Sequence, residues 1–274
     1  MKIVKSLLLL PALALLSSLL ATPASANSIL MSASSFAVLG GSTVTNTGAS
    51  TINGNVGVSG GSAITGFPPG VVTGGTILGP GAVTNQAQID LINAYNTLKN
   101  LPSTANLSGQ NLGGQTLTAG VYTFSTSAPL TGGLILNAQG KANQQFIFQI
   151  GSTLITSSAS SVTIINPGAN TSVFFQVGSS ATLGTGTSFL GNILALTSIT
   201  LNTGANISCG RALAHNGGVT LDTNNISIGA AGTSCGNSGG LSGGGGVITP
   251  TPEPASFVLV GCGLFCLVLL TRLS

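Results

Sequence analysis

The sequence predicts a mainly β fold, an irregular β-solenoid (β-helix) with one long α-helix packed alongside. Three observations carry this. Four segments repeat one local pattern, short Val/Ile/Leu/Phe/Thr runs are punctuated by Gly and Asn, and one stretch alone has helical spacing.

The repeats align on leucines: "QIGSTLITSSASSVTII" on Leu154, "QVGSSATLGTGTSFLGNI" on Leu183, "ALTSITLNTGANISCGRALA" on Leu201 and "NGGVTLDTNNISIG" on Leu221. In each, Thr precedes the leucine and another Thr follows two places later. Small or amide residues then lead to Val162, Phe189, Ile207 or Ile226. The leucines lie 18 to 29 positions apart, which fits one coil with loops of variable length. "FIFQIG" (146–151) and "VFFQVG" (173–178) have the continuous apolar character of strands buried inside a stack. Period-2 alternation around "TLNT" points Leu201 inward and Thr200 outward.

The helix is expected over about 85–100. There "NQAQIDLINAYNTLKNLP" places Ile89, Leu91, Ile92, Tyr95 and Leu98 near one stripe and stops before Pro102. "TVTNTGAS" (43–50) resembles the C-terminal coils. The chain is therefore expected to start the stack, leave it to build the helix, and resume it, so that coil order in space need not follow sequence.

The ends carry addressing signals. Lys2 and Lys5, an apolar run over 7–20 and "ASA" ending at Ala26 read as a signal peptide, 1–26, for signal peptidase. Residues 27–235 form the domain. A Gly/Ser-rich linker follows over 236–251, then Pro252, Glu253 and Pro254, an apolar run over 255–270 long enough to cross a bilayer, and Arg272. This order of motif, apolar span and basic residue over 252–274 resembles the PEP-CTERM sorting signal. The resemblance implies processing by an exosortase in an exopolysaccharide-making Gram-negative bacterium, at the outer surface or in the extracellular matrix. A permanent single-pass anchor is the alternative, and the membrane is engaged only through this segment.

Charge excludes several functions. Over 27–235 the charged residues are Lys99, Lys141, Arg211, Asp90 and Asp222. Nucleic acid and anionic lipid need clustered Lys and Arg. Glycoside hydrolysis needs two facing carboxylates, and Asp90 lies on the helix. His215 is the only histidine, so no His-based metal cluster forms, and a single corner hydrogen bond suits it. No enzyme activity, metal or cofactor is expected. Cys209 and Cys235 are a candidate disulfide for an exported domain.

What remains is the threonine rows. In stacked coils, equivalent Thr side chains form a grid of methyls and hydroxyls stiffened by β-branching. "FAVLGGSTVTNTG", "GNVGVSGGSAITGFPPG", "LGGQTLTAGVYTF", "FIFQIGSTL", "VGSSATLGTGTSFLGNILALTSITLNTGA" and "GRALAHNGGVTLD" together resemble the bacterial, fungal and algal ice-binding family over about Ser32 to Ile228. The resemblance implies an irregular right-handed β-solenoid that adsorbs to ice and its ordered water through a flat Thr/Ser/Asn face carrying Thr-(Ala/Gly)-x-(Thr/Asn). "TGAN" matches at Thr203 and Asn206, "TGTS" nearly so at Thr185, Thr187 and Ser188, and "TGAS" at Thr47 and Ser50. "TSSAS" from Thr156 and "TNN" with Thr223 and Asn225 depart further. Thr and Asn are also ordinary strand and corner residues. A structural or adhesive protein of the exopolysaccharide matrix is the rival reading.

Overall fold

A computed structural model gives the fold and describes residues 29–229. The expected signal peptide with Ala26, Cys235, the linker, and the tail with Pro252, Glu253, Pro254 and Arg272 lie outside these residues. So does the expected membrane span. No helix among the described residues is long and apolar enough to cross a membrane.

Each circuit of the chain lays one strand in each of three ranks. Leu154–Thr156, Ser161–Ile165 and Ser172–Val177 make one circuit, and Ala181–Leu183 begins the next beside Leu154–Thr156. Every pairing between neighbouring circuits is parallel. The rank of seven strands containing Ile199–Leu201 is the threonine rank. The rank containing Ser161–Ile165 is the open rank, and the rank containing Ser172–Val177 lies under the helix.

Ser188–Ala195 and Asn206–Ala214 pass from the open rank into the helix rank without a break, bending where their register shifts between Leu190 and Asn192. Gly191 sits at that bend with φ +116, a conformation L side chains rarely adopt. A Cβ there would also lie 2.9 Å from that of Val173.

The core fills the space between the ranks. Leu154, Leu183, Leu201 and Leu221 point into it, as do Phe189, Ile207 and Ile226. Tyr122, Phe148, Phe175 and Phe189 stack one circuit after another, with centroids 5.5, 4.5 and 4.7 Å apart. Such contacts add to burial because offset rings align their quadrupoles favourably.

The helix spans Ala82–Lys99 and packs on the outer side of its rank. Its buried stripe is Ala87, Leu91, Ala94, Tyr95 and Leu98 against Leu39, Ile147, Phe174, Leu194 and Leu213. Ile89, expected on the stripe, is instead 52% exposed. It lies two residues from Leu91, and that spacing points to the opposite side of a helix. Phe146–Ile150 and Val173–Val177 are buried on both faces, as their apolar runs required. Gln149 on the same rank donates to the carbonyls of Leu98 at 2.7 Å, Lys99 at 3.2 Å and Leu101 at 2.8 Å, satisfying groups that a helix C-terminus leaves orphaned.

Coil order departs from chain order. After the N-terminal circuits the helix carries the chain to the far end of the stack, and the later circuits return until Asn206–Ala214, Val219–Asp222 and Asn225–Ser227 meet the first strands. One alignment in the sequence shifts. Leu154 pairs with Ala181, not Leu183, so Leu183 stands beside Thr156. A slip of two preserves which side chains face inward.

Candidate functional site: the threonine rank

Alternate residues of the strands in this rank point away from the core and leave one outward row. Register runs Pro129–Ile155–Thr182–Thr200–Thr220–Thr45–Thr65 across seven adjacent strands. The last five are all threonine, spanning four strand steps or about 19 Å. No register shift interrupts these pairings, whereas both other ranks meet one at Leu190/Asn192. All five side chains reach the surface, and their hydroxyls make no hydrogen bond among the described residues. Methyls and free hydroxyls thus repeat at the strand spacing. At the far end Pro129 and the exposed Ile155 replace threonine.

The motif residues occupy the turn from this rank to the open rank, and they divide into two groups. Thr47, Thr185, Ser188, Thr203, Thr223 and Asn225 are exposed and Asn206 is half-buried, so they form a rim. Ser188 pairs with Asn206 on the first row of the open rank. Ser50, Thr156 and Thr187, expected on the surface, are 1%, 3% and 0% exposed and face the interior. Thr156 fills the slot beside Leu183. Its hydroxyl bonds that of Thr187 at 2.8 Å and accepts the Gly184 N–H at 2.8 Å. Ser50 Oγ accepts the Asn224 N–H at 2.9 Å. These three hydroxyls satisfy backbone and one another inside a tight corner, where an unpaired polar group would be costly.

The Thr-Gly pairing also has a conformational cause. Gly48, Ala159, Gly186, Gly204 and Thr223 all take positive φ at this corner, between 55 and 80. Glycine adopts that region freely, so part of the motif is turn chemistry. "TNN" departs from it because its corner is one residue shorter: Leu221 precedes Asn225 by four, and Leu201 precedes Asn206 by five.

One charge lies within the rank, at the end of Val219–Asp222. Asp222 stands in register with Thr47 on the side next to the threonine row. Its carboxylate accepts from the hydroxyl of Thr203 and, at 3.1 Å, from that of Thr223. Those bonds, Thr203's first, with a smaller one from Thr47, hold Asp222 below the usual carboxylate range. The Thr203 hydroxyl, the best motif match, is therefore engaged within the protein. The other charges lie elsewhere. Asp90 is on the helix, accepting from the backbone N–H and hydroxyl of Ser32 and from Gln86. Lys99 ends the helix and Lys141 bonds Gln139. Arg211 is fully buried in the helix rank, donating to Ser34 O at 2.9 Å and Asn192 Oδ1 at 2.8 Å; desolvation lowers it to about 10, still charged at neutral pH. His215 makes one hydrogen bond, to Gln88 Oε1 at 3.0 Å. Cys209 is disulfide-bonded, and the described residues contain no second cysteine.

Thr45, Thr65, Thr182 and Thr220 were less legible than the motif residues. For Thr182 and Thr220 the signal was a Thr preceding an inward leucine, which alternation sends outward as it does Thr200, whereas Thr45 and Thr65 precede Asn46 and Gly66 and are placed only by the register of Val44 with Ile64.

A stack of parallel circuits with a regular threonine row on one side defines a protein that presents a surface lattice. Residues 38–227 match the ice-binding-like family, and the chain belongs to it. It is 61% identical over 200 residues to an ice-binding protein of Nostoc sp. (strain HG1), covering 73% of this chain and 74% of that one. Among solved structures it is similar to an ice-binding protein from an Antarctic biological consortium, with a TM-score of 0.68, 42% identity, and 72% of this chain and 89% of that chain covered. It is likewise similar to that of the Antarctic ascomycete Antarctomyces psychrotrophicus, with a TM-score of 0.69, 39% identity, and coverage of 73% and 98%.

Proposed function

We propose that this chain is an exported ice-binding protein that adsorbs to ice through the threonine rank and inhibits ice growth or recrystallisation. The circuits form a right-handed β-solenoid in this reading. Residues 1–26 are removed by signal peptidase, and 252–274 hold the domain at the outer surface or pass it to an exosortase. The observation that carries the proposal is the row Thr182, Thr200, Thr220, Thr45 and Thr65: five stiff side chains in unbulged register with unengaged hydroxyls.

Each hydroxyl holds a water at a fixed place, and each methyl denies it alternatives. Water ordered at repeated places joins a crystal plane of matching spacing. The methyls, at about 0.8 kcal/mol per buried carbon, and water-mediated hydrogen bonds then add along the row. A charge in the row would impose its own hydration, which is why neutrality matters.

The test is ice-recrystallisation inhibition by the purified full chain beside its Thr200→Tyr and Thr185→Tyr variants, with circular dichroism to show the fold. Tyr at position 200 stands in the middle of the row, so activity is expected to vanish. Tyr at position 185 stands on the rim and should reduce it less. The reverse order would move the site to the corner. No inhibition by folded wild-type chain would sink the proposal and leave the matrix reading.

A further inference from the structure

The described chain enters and leaves the stack at one corner. Entry is through the 3-10 helix Met31–Ser35, which leads into Phe36–Gly40 of the helix rank. Arg211, the first residue of the helix rank beyond the bend of Asn206–Ala214, donates to Ser34 O and fixes that entry. Exit follows Asn225–Ser227 of the open rank, where the Ile228 N–H donates to Asn53 O at 3.2 Å. Both points lie where the open rank turns into the helix rank. Gly54 marks the spot: a Cβ there would meet Ala37 at 3.0 Å and Ile228 at 3.2 Å, so a residue of the first strand and the residue just past the last strand flank one glycine.

With three ranks, the corner between two of them lies opposite the third. The exit at Gly229 is therefore opposite the threonine rank. A second observation concerns a covalent tie made at the same corner. Cys209 lies between Ser208 of the open rank and Gly210 at the bend, and it is disulfide-bonded. The cysteines other than Cys209 are Cys235, Cys262 and Cys266, all downstream of Gly229.

We infer that the chain is tethered from the corner opposite the threonine rank, so that attachment through its C-terminal segment leaves that rank unobstructed toward the medium. The inference rests on the proposed ice adsorption and on the proposed tail anchor. A random coil of the length of the Gly/Ser-rich segment 236–251 spans roughly 20–24 Å, reach enough that the root of the tether matters more than its length. The root of the tether decides which face is blocked. A root on the threonine rank would force linker and anchored surface across the row. A root behind it lets many copies on one surface lie flat on the same crystal.

The experiment uses the full chain, once in detergent micelles and once reconstituted in phosphatidylethanolamine/phosphatidylglycerol vesicles carrying a fluorescent lipid, each frozen slowly so that adsorbed material enters the ice. Wild-type vesicles are expected to be captured on the order of a hundredfold more than Thr200→Tyr vesicles, through the avidity of many copies on one vesicle. Capture of the micellar chain without capture of the vesicles overturns the inference while leaving ice adsorption standing. Failure of the chain to float with the vesicles also overturns it, by removing the tether. Capture of neither form removes the ice reading itself, and the inference with it.

Discussion

Thr203 donates to Asp222, and that bond alters what both residues offer to water. Asp222 is half-buried, and Thr203 and Thr223 each occupy one of its carboxylate oxygens, reducing the hydration it demands beside the threonine row. Thr203→Ala should therefore lower recrystallisation inhibition several-fold by unshielding the charge. In an Asp222→Asn background the same substitution should cost little, because no charge is left to shield. A double-mutant cycle in ice activity checks this, and additive effects would refute the coupling. The folded-state pKa of Asp222 is depressed, so its bonds are complete above the ordinary value of 3.8 and are lost only as pH falls through the lower folded value. Ice activity of the wild-type chain should accordingly be flat between pH 5 and 8.

The helix and its rank are held by polar ties as well as by the apolar stripe. Gln149 serves three carbonyls at the helix end, so Gln149→Leu removes the donor they share and should cost about 1–3 kcal/mol of stability in denaturant unfolding. Ice activity of the folded variant should be unchanged, because Gln149 lies under the helix and away from the threonine rank. Desolvation depresses the pKa of His215, which bonds Gln88 of the helix. The unfolded chain then binds a proton more readily, so stability is full above the ordinary value of 6.5 and declines as pH falls from there through the folded value. The Tm of the wild-type chain should fall below that pH, and His215→Gln should flatten the slope. At the corners the limit is backbone conformation. A Cβ at Gly204 meets nothing within 4 Å, but its φ is +70, so Gly204→Ala should cost about 1 kcal/mol through strain alone.

Across the whole molecule, closure depends on the last circuits docking against the first. Leu39 pairs with Leu213, Val44 with Val219 and Ile52 with Ile226, joining residues from opposite ends of the domain. The Cys209 disulfide adds a covalent restraint at the same end of the stack. Its expected partner is Cys235, the nearest downstream cysteine, and closing a loop of that size stabilises by about 3 kcal/mol. Peptide mapping without reductant should recover Cys209 joined to Cys235; a Cys209 peptide joined to Cys262 or Cys266 would contradict that pairing.

By itself the sequence determined the repeat, the inward leucines, the outward Thr200, the lone helix and the resumption of the stack after it. Each of these is local periodicity, or the recurrence of one strand's pattern in another. It also held the scarcity of charge on the threonine surface, where Asp222 is the one charged residue among the described strands of the rank. Only the tertiary structure decided which threonines form the row. "TSSAS" and "TGTS" differ in how well they match the motif, yet Thr156 and Thr187 both face the core, Thr156 because the pairing of Leu154 with Ala181 puts it in a leucine's place. Register between circuits is set by packing across loops of unequal length, and a turn residue changes side when the chain bends. Neither is written in the spacing of one segment, so the face could be inferred from sequence while its members waited on the fold.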